Sequence, residues 1–307
     1  MKYMKDSTPL CHICHIPSHF LMRKDGFDEH ICPKCDLSFV FPQPEAEWLK
    51  DNVYSLESGY QGNKKADLAL EAIPQRYKKA LEFLKSKKQS GSLLDVGCSN
   101  GQFMYWAREN GFECKGIEIN KRTAVIAVQN GFEVFTGFLE EAPYTRKSFD
   151  VVYLGDVIEH VNDPRRLIMT ANSFLKENGM LVFSTPNMDC FWSRSTLLLY
   201  KLFVIPWSSL TPPHHLFQFN FDNLGLLLGE IHLKSTFSIF DSPARLAYNL
   251  GSLHVYKHFK QNKTLGRFLF MCFSYGVYTL LYGINVMLKP FLDKDFQMIV
   301  FYEKRSI

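Results

Sequence analysis

The chain has 307 residues, room for roughly two domains at ~100–200 residues each, so a sizeable core needs no disulfide staples. With 46% hydrophobic and 21% charged residues, and only 14 Pro and 18 Gly, composition excludes a disordered, collagen-like or low-complexity chain. Net charge is +4, from 35 Lys plus Arg against 31 Asp plus Glu, which argues against nucleic acid as a partner; the excess is uneven, residues 241–307 holding nine basic and four acidic residues.

Four of the eight cysteines form two pairs, Cys11-x2-Cys14 and Cys32-x2-Cys35, with 17 residues between the inner members. Each short turn aims two thiolates at one tetrahedral ion, the spacing of a four-cysteine zinc site. With every position filled by protein the ion has no open place for water or substrate, so its expected role is structural. Met1 to Leu10 lacks the apolar core of a signal peptide, so a reduced, cytoplasmic setting is expected in place of secreted disulfides. His12, His15, His19 and His30 are alternative ligands, but the cysteine pairs are complete without them and the histidines read as solvated surface; Cys98, Cys114, Cys190 and Cys272 read as buried small hydrophobes.

Pro42-Gln-Pro44 ends this ribbon, assigned to residues 1–45. A linker through Trp48, Tyr54 and Tyr60 leads into a helix expected over 64–88, kinked or split by Pro74, so that 46–90 joins ribbon to core. From Gly91 short apolar runs alternate with helical stretches, the pattern of a parallel sheet covered by helices. Strands are expected at 93–96, 114–119, 133–136, 150–154, 180–184, 235–240 and 296–302, and helices at 102–110, 121–130, 165–177 and 222–229. Gly111, Gly131 and Gly179 stand where helix ends want a left-handed residue.

Leu93-Leu-Asp-Val-Gly-Cys-Ser-Asn-Gly101 is a strand ending near Asp95 that opens into a glycine turn and a helix, bringing backbone close to a ligand at the carboxyl edge of the sheet. Glu118, 21 residues after Gly97, ends the next strand, where an acid accepts both ribose hydroxyls of a nucleoside. The competing reading is that both acids cap strand-to-helix turns. Gly-x-Ser-x-Gly lacks the three-glycine turn of dinucleotide enzymes, so a ligand without a pyrophosphate fits better.

Through LLDVGCSNG, GIEIN and SFDVVYLGDVIEHVNDP, residues 91–240 resemble the class I S-adenosylmethionine-dependent methyltransferases. Within them, Asp-Val-Ile-Glu-His160-Val looks like the group holding quinone-biosynthesis O-methyltransferases and methyltransferases of surface-polysaccharide or sugar pathways. An N-terminal zinc ribbon is similar to that of some sugar C-methyltransferases. The resemblance implies an α/β fold: a seven-stranded Rossmann-like sheet, the ribbon before it, and a helical insertion (241–293) ahead of the last strand (294–307). It implies Asp95 and Gly97 at the methionine end of the cofactor, with Cys98 and Gly101 in the same turn, Glu118 on the ribose, Ile119 beside the adenine and Asp156 beside the methyl-transfer site. Phe138 stands where many relatives place an acid near the adenine amine, leaving backbone and stacking to hold it, with Glu140 a minor candidate. Ser99 replaces the middle glycine, which requires φ to stay below zero.

Methyl transfer needs alignment, and a base only if the nucleophile starts out protonated. His214 and His215, in Thr211-Pro-Pro-His-His-Leu-Phe-Gln218, are the base candidates, with His215 preferred; the other reading is that they shape the substrate loop. His160, ahead of the helix start Asn162-Asp163-Pro164, is either catalytic or a structural hydrogen bonder. The implied activity is transfer to a small-molecule acceptor, a sugar or lipid-linked glycan intermediate. A quinone-type phenol and, in another class, a noncatalytic zinc- and cofactor-binding scaffold are the alternatives.

Two apolar stretches lie outside the resemblance's core, 191–210 and 268–288. The second has 21 uncharged residues, enough to span a bilayer, but the strand after it must return to the same sheet. Lys257, Lys260, Lys263 and Arg267 form a basic stripe if that segment is helical. Peripheral contact with an anionic membrane, at its inner face, stands against a cap that buries its apolar side on the sheet or on a second subunit of a homodimer.

Overall fold

The structure, a computed structural model, describes residues 8–54, 68–69, 71–88, 90–229, 233–241, 246–292 and 294–304. Tyr60 and residues 64–67 and 70 of the expected helix lie outside the described residues. Strands β1 (His19–Lys24), β2 (Phe27–Ile31) and β3 (Ser38–Val40) are followed by helices α1 (Ala46–Asn52) and α2 (Gln75–Lys88). Then come β4 (Gly91–Val96), α3 (Gln102–Glu109), β5 (Phe112–Glu118), α4 (Lys121–Gln129), β6 (Glu133–Thr136), β7 (Phe149–Gly155), α5 (Pro164–Phe174) and β8 (Leu175–Pro186). The remainder is α6 (Phe191–Phe203), β9 (Phe217–Gln218), α7 (Phe221–Gly229), β10 (Leu233–Asp241), α8 (Leu246–Ser252), α9 (Val255–Gln261), α10 (Leu265–Leu288) and β11 (Gln297–Lys304).

Seven strands form one sheet in the order β10-β11-β8-β7-β4-β5-β6, and the expected α/β architecture, with a helical insertion before the last strand, is present. The pairs from β8 to β6 are parallel, whereas β11 runs antiparallel to both its neighbours. The chain enters at β4, moves outward to β6 and returns at β7, so a crevice opens where β4 and β7 end. Successive apolar residues serve opposite faces. Leu94, Val152 and Phe183 join one buried cluster with Ile168 of α5 and Leu224 of α7. Leu93, Val151 and Val182 join another with Leu84 of α2 and Ala107 of α3. A strand covered on both faces has no solvent side, which is why these segments read as apolar runs.

The cysteine-bearing segment is not an appendage. β9, from the chain after β8, completes the ribbon sheet in the order β1-β2-β3-β9, with Ser38 opposite Gln218 and Phe39 opposite Phe217. Cys11, Cys32, Leu37 and Phe39 belong to the same buried cluster as Val96 and Leu154 of the large sheet. The buried Lys24 ammonium donates to the carbonyl oxygens of Trp207, at 2.9 Å, and Leu210, fixing the other end of the 207–218 segment.

Several expectations change. Pro74 neither kinks nor splits a helix; it stands just before α2, its carbonyl accepting from Tyr77 and Lys78 N–H. The helix expected over 165–177 stops at Phe174, because Lys147 and Ser148 N–H take the Ser173 and Phe174 carbonyls at 3.0 Å. Gly179 therefore lies within β8, where register shifts between the Phe149–Leu175 and Val151–Met180 pairs. His12 and His30 are half-buried, not free surface: His12 packs edge-on against Phe39 and Phe217 at 5.1 and 4.8 Å, and His30 against Phe20 and Phe41 at 5.9 Å. Cys272 is exposed. The basic stripe is broken, since α9 ends at Gln261 and Thr264 caps α10 through Arg267 N–H.

Phe217 is fully buried between the ribbon and the large sheet's cluster. Phe217→Ala is expected to cost about 3–5 kcal/mol, read as a lower urea midpoint, with the far-ultraviolet signature of the large sheet retained.

Candidate functional site

The glycine turn follows β4 at the crevice. Gly97 has φ +76°, and a Cβ there would sit 2.6 Å from Val157 Cγ2, so only glycine lets the turn close against the segment after β7. Ser99 has φ +49°, contrary to the expectation that it stays below zero. Its N–H donates to Glu118 Oε2 at 2.8 Å, a charge-assisted bond that offsets the left-handed backbone. Cys98 is buried, its Sγ packed under the turn where a Cβ on Gly116 would meet it at 2.5 Å. Gly101 is the N-cap of α3, close against the Phe132 ring. Cys98 and Gly101 thus also pack against the core beneath the turn.

Glu118 ends β5, and its Oε1 accepts Asn120 N–H at 2.7 Å. Asp95, in β4, and Glu118 are both buried. Desolvation pushes both carboxyls up, and the Glu118 charge adds to the shift of Asp95. Among the described residues neither makes an ion pair. Ile119 is half-buried just past β5, and Phe138 is half-buried with Lys50 Nζ 5.4 Å from its ring centre. Glu140 pairs with Arg166 at 3.2 Å.

Asp156 follows β7 with φ +53°. Its Oδ1 accepts Ser184 Oγ–H at 3.2 Å and Gln297 Nε2–H. Burial raises its carboxyl, and the nearby Arg76 guanidinium opposes that shift. Arg76 lies over the Tyr77 ring at 4.5 Å, so α2 delivers a cation to the same edge of the sheet.

The second centre forms around His160. Its Nδ1 contacts the His214 carbonyl and lies 3.0 Å from Tyr54 Oη. A carbonyl only accepts, so Nδ1 carries the proton and Nε2 is left as an acceptor. Nε2 faces Glu159 Oε1 at 3.9 Å, and the His215 ring stands edge-on at 4.8 Å. Ligand atoms of Glu159, His160 and His215 all lie within 4.8 Å of one another. Burial pushes Glu159 well up, holds His160 at about 4 and puts His215 well below the usual imidazole range. In all three groups burial thus works against the charged form. Glu159 Oε2 accepts Thr185 Oγ–H at 3.0 Å, while Glu159 Oε1 and His215 Nδ1 are buried without a hydrogen-bond partner. The His214 side chain is exposed; its carbonyl is the part that binds.

The two centres are linked. Asn120, the N-cap of α4, donates its N–H to Glu118 and its side-chain amide to the Tyr54 carbonyl at 2.6 Å, and Tyr54 reaches His160. Reasoning from sequence passed over Arg76, Asn120 and Gln297, and took Tyr54 only as linker. The one local signal was a row of aromatics, Trp48, Tyr54 and Tyr60, in a polar segment.

The four paired cysteines converge: their sulfurs lie within 4.8 Å of one another, with Cys11 to Cys35 at 3.7 Å. Bonds of ~2.3 Å to one tetrahedral ion would set sulfurs roughly 3.8 Å apart. Ile13 and Cys14 N–H donate to Cys11 Sγ, and Lys34 N–H to Cys32 Sγ. The Cys35 thiol's hydrogen bond is the main cause that holds Cys11 at about 5.

Because His160 is held at about 4 against 6.5 for a free imidazole, the unfolded chain binds a proton across that window that the folded chain refuses. Its share of stability is present above pH 6.5 and is lost as pH falls toward 4. Urea unfolding should show this decline, and His160→Gln should reduce its slope by about one proton.

Residues 69–233, more than half of the chain, match the family described as Methyltransferase domain. An uncharacterized protein of Methanocaldococcus jannaschii is 29% identical over 119 residues, covering 38% of this chain and 56% of that protein. A ubiquinone biosynthesis O-methyltransferase of Rickettsia felis is 35% identical over 101 residues, covering 31% and 41%. The chain thus spans about half or less of the length of these curated relatives. The crystal structure of magnesium protoporphyrin IX methyltransferase from Synechocystis PCC 6803 with bound SAH is similar at a TM-score of 0.48 and 14% identity, covering 76% of this chain and 83% of that one. A match across the glycine turn, both acidic strand ends and the whole His160 segment is what a shared domain requires, and this chain belongs to the methyltransferase domain family.

Proposed function

We propose that this chain transfers the methyl group of S-adenosylmethionine to a small-molecule acceptor, a sugar or lipid-linked glycan intermediate. The observation that carries the reading is the pair of buried carboxylates, Asp95 and Glu118, at adjacent strand ends beside a turn that needs Gly97. Both are desolvated without a cation among the described residues, so hydroxyl or ammonium donors of a ligand would relieve them. Glu118 keeps lone pairs for ribose hydroxyls after accepting two backbone N–H groups. Asp95, Gly97 and Asp156 would hold the methionyl end, and Ile119 and Phe138 the adenine. Bound there, S-adenosylmethionine supplies a sulfonium methyl.

Alignment in the crevice would account for ~7–11 kcal/mol of the barrier, so a modest base suffices. His215 is the candidate: its Nδ1 has no hydrogen-bond partner, and burial keeps it unprotonated, ready to take the proton of an acceptor hydroxyl. His160, bonded to Tyr54 and the His214 carbonyl, would position the loop. A quinone-type phenol is the second acceptor, favoured by the ubiquinone biosynthesis O-methyltransferase among the relatives. We assign Cys11, Cys14, Cys32 and Cys35 to a structural Zn2+, on the distances given, in a reducing cytoplasmic setting.

Thermal shift with S-adenosylmethionine, S-adenosylhomocysteine and NAD tests the cofactor. The first two should stabilise by about 2.7 kcal/mol at a hundred times Kd, and Glu118→Gln should weaken both; stabilisation by NAD alone, or by none, overturns the reading. His215→Gln should lower kcat by about 10²–10⁴ with the cofactor Kd unchanged, whereas unchanged turnover in both His214→Gln and His215→Gln removes the base from this loop.

Elemental analysis should find one zinc per chain. Cys32→Ser should lose the metal and lower the thermal midpoint; a metal-free, equally stable wild type would rule out the zinc site.

A further inference from the structure

α10 is built inside out. Its buried positions are Ser274, Tyr278 and Asn285, two of them plainly polar. The face opposite Tyr278 carries Leu269, Phe273, Leu280, Ile284 and Met287, all exposed, Leu280 at 68% and Met287 at 76%. These positions recur at intervals of four, seven, four and three, one stripe of a 3.6-residue helix. A helix facing water shows the reverse arrangement. Phe291, just beyond α10, is 82% exposed and extends the stripe. Beside it, α6 adds exposed Leu198, Leu202 and Phe203, and Phe203 meets Phe273 at 5.9 Å. So large an apolar surface marks an interaction site.

The helix is long and apolar enough to cross a bilayer, with 17% of its most apolar window buried, yet its midpoint is tied to the domain. Tyr278 Oη donates to the Pro206 carbonyl at 3.0 Å and accepts Ser208 N–H at 3.2 Å, and its ring packs on Trp192 at 5.7 Å. β11, which follows, lies between β8 and β10 in the large sheet. Such a helix can lie along a membrane but cannot pass through it.

Charge decides the occupant. Residues 246–292 contain five Lys or Arg and no Asp or Glu. Lys257, Lys260 and Lys263 are exposed, and no ion pair engages them among the described residues. A second copy of this chain would bring two positive surfaces together, whereas anionic headgroups neutralise one. We infer that the exposed face of α10, with the tip of α6 and the lysines of α9 and its following turn, docks in the plane of an anionic lipid bilayer. The inference holds whichever molecule accepts the methyl group. It also sets α6, which follows β8 at the sheet's carboxyl edge, against the lipid.

Cosedimentation of the full chain with phosphatidylcholine vesicles containing about 30% phosphatidylglycerol tests it. Binding is expected at low salt, weaker at high salt and on pure phosphatidylcholine. It should fall at least about tenfold in Leu280→Ser/Met287→Ser and in Lys257→Glu/Lys260→Glu/Lys263→Glu. An environment-sensitive dye on the exposed Cys272 reads the wild-type chain directly and should shift to the blue when vesicles are added. No cosedimentation at low salt, no dye shift, or binding untouched in variants that keep the wild-type thermal midpoint overturns the inference. So does a dimer, dissolved by Leu280→Ser/Met287→Ser, in a chain that leaves vesicles unbound.

Discussion

Three backbone strands meet where Val40 N–H donates to the Leu216 carbonyl and Leu216 N–H donates to the Glu159 carbonyl, at 2.9 and 2.7 Å. Through these two bonds the ribbon, the loop bearing His214 and His215, and the turn after β7 become one unit. The loop is held at its other end by Lys24. A surface loop with two histidines would otherwise sample many conformations at roughly 1–2 kcal/mol of entropy per residue fixed. Here that cost is met by packing, since Phe39, His12 and Phe217 interlock across the β3–β9 pair. The cysteine ribbon is accordingly part of the wall that forms the site.

Burial then sets the chemistry. Asp95, Glu118 and Asp156 collect at the carboxyl edge with their acidities weakened, and Glu159, His160 and His215 collect a few residues away, each with its charged form disfavoured by burial. A low-dielectric site strengthens every interaction a ligand makes there, and leaves each unpartnered atom costly until it does. The Glu118–Asn120–Tyr54–His160 chain of bonds connects the two groups, so occupancy at one edge and loop position at the other share a framework.

The strands were legible because a sheet buried on both faces leaves apolar runs, and the glycine turn because backbone approach demands residues that side chains would block. Asp163 and Pro164 marked the start of α5, and the cap is there, with Asp163 Oδ1 accepting Arg166 N–H at 2.9 Å. Local signals failed where a distant partner intervened. Nothing near Phe174 announces that Lys147 and Ser148 will take the last helical carbonyls, and nothing near Ser99 announces the carboxylate that stabilises its left-handed backbone. His12 and His30 looked solvated because the rings packed against them come from β1, β3, the turn after β3, and β9.

By itself the sequence determined the sheet, the switch-point turn with Asp95 and Glu118, and the convergence of four cysteines, since each is written in short-range periodicity or spacing. Only tertiary structure decided that the ribbon braces the histidine loop, that Arg76, Tyr54 and Gln297 join the site, and that α10 turns its apolar side outward. Those outcomes depend on pairings between residues distant in the chain and on which face of a helix meets a neighbour, and neither is encoded in any local run of residues.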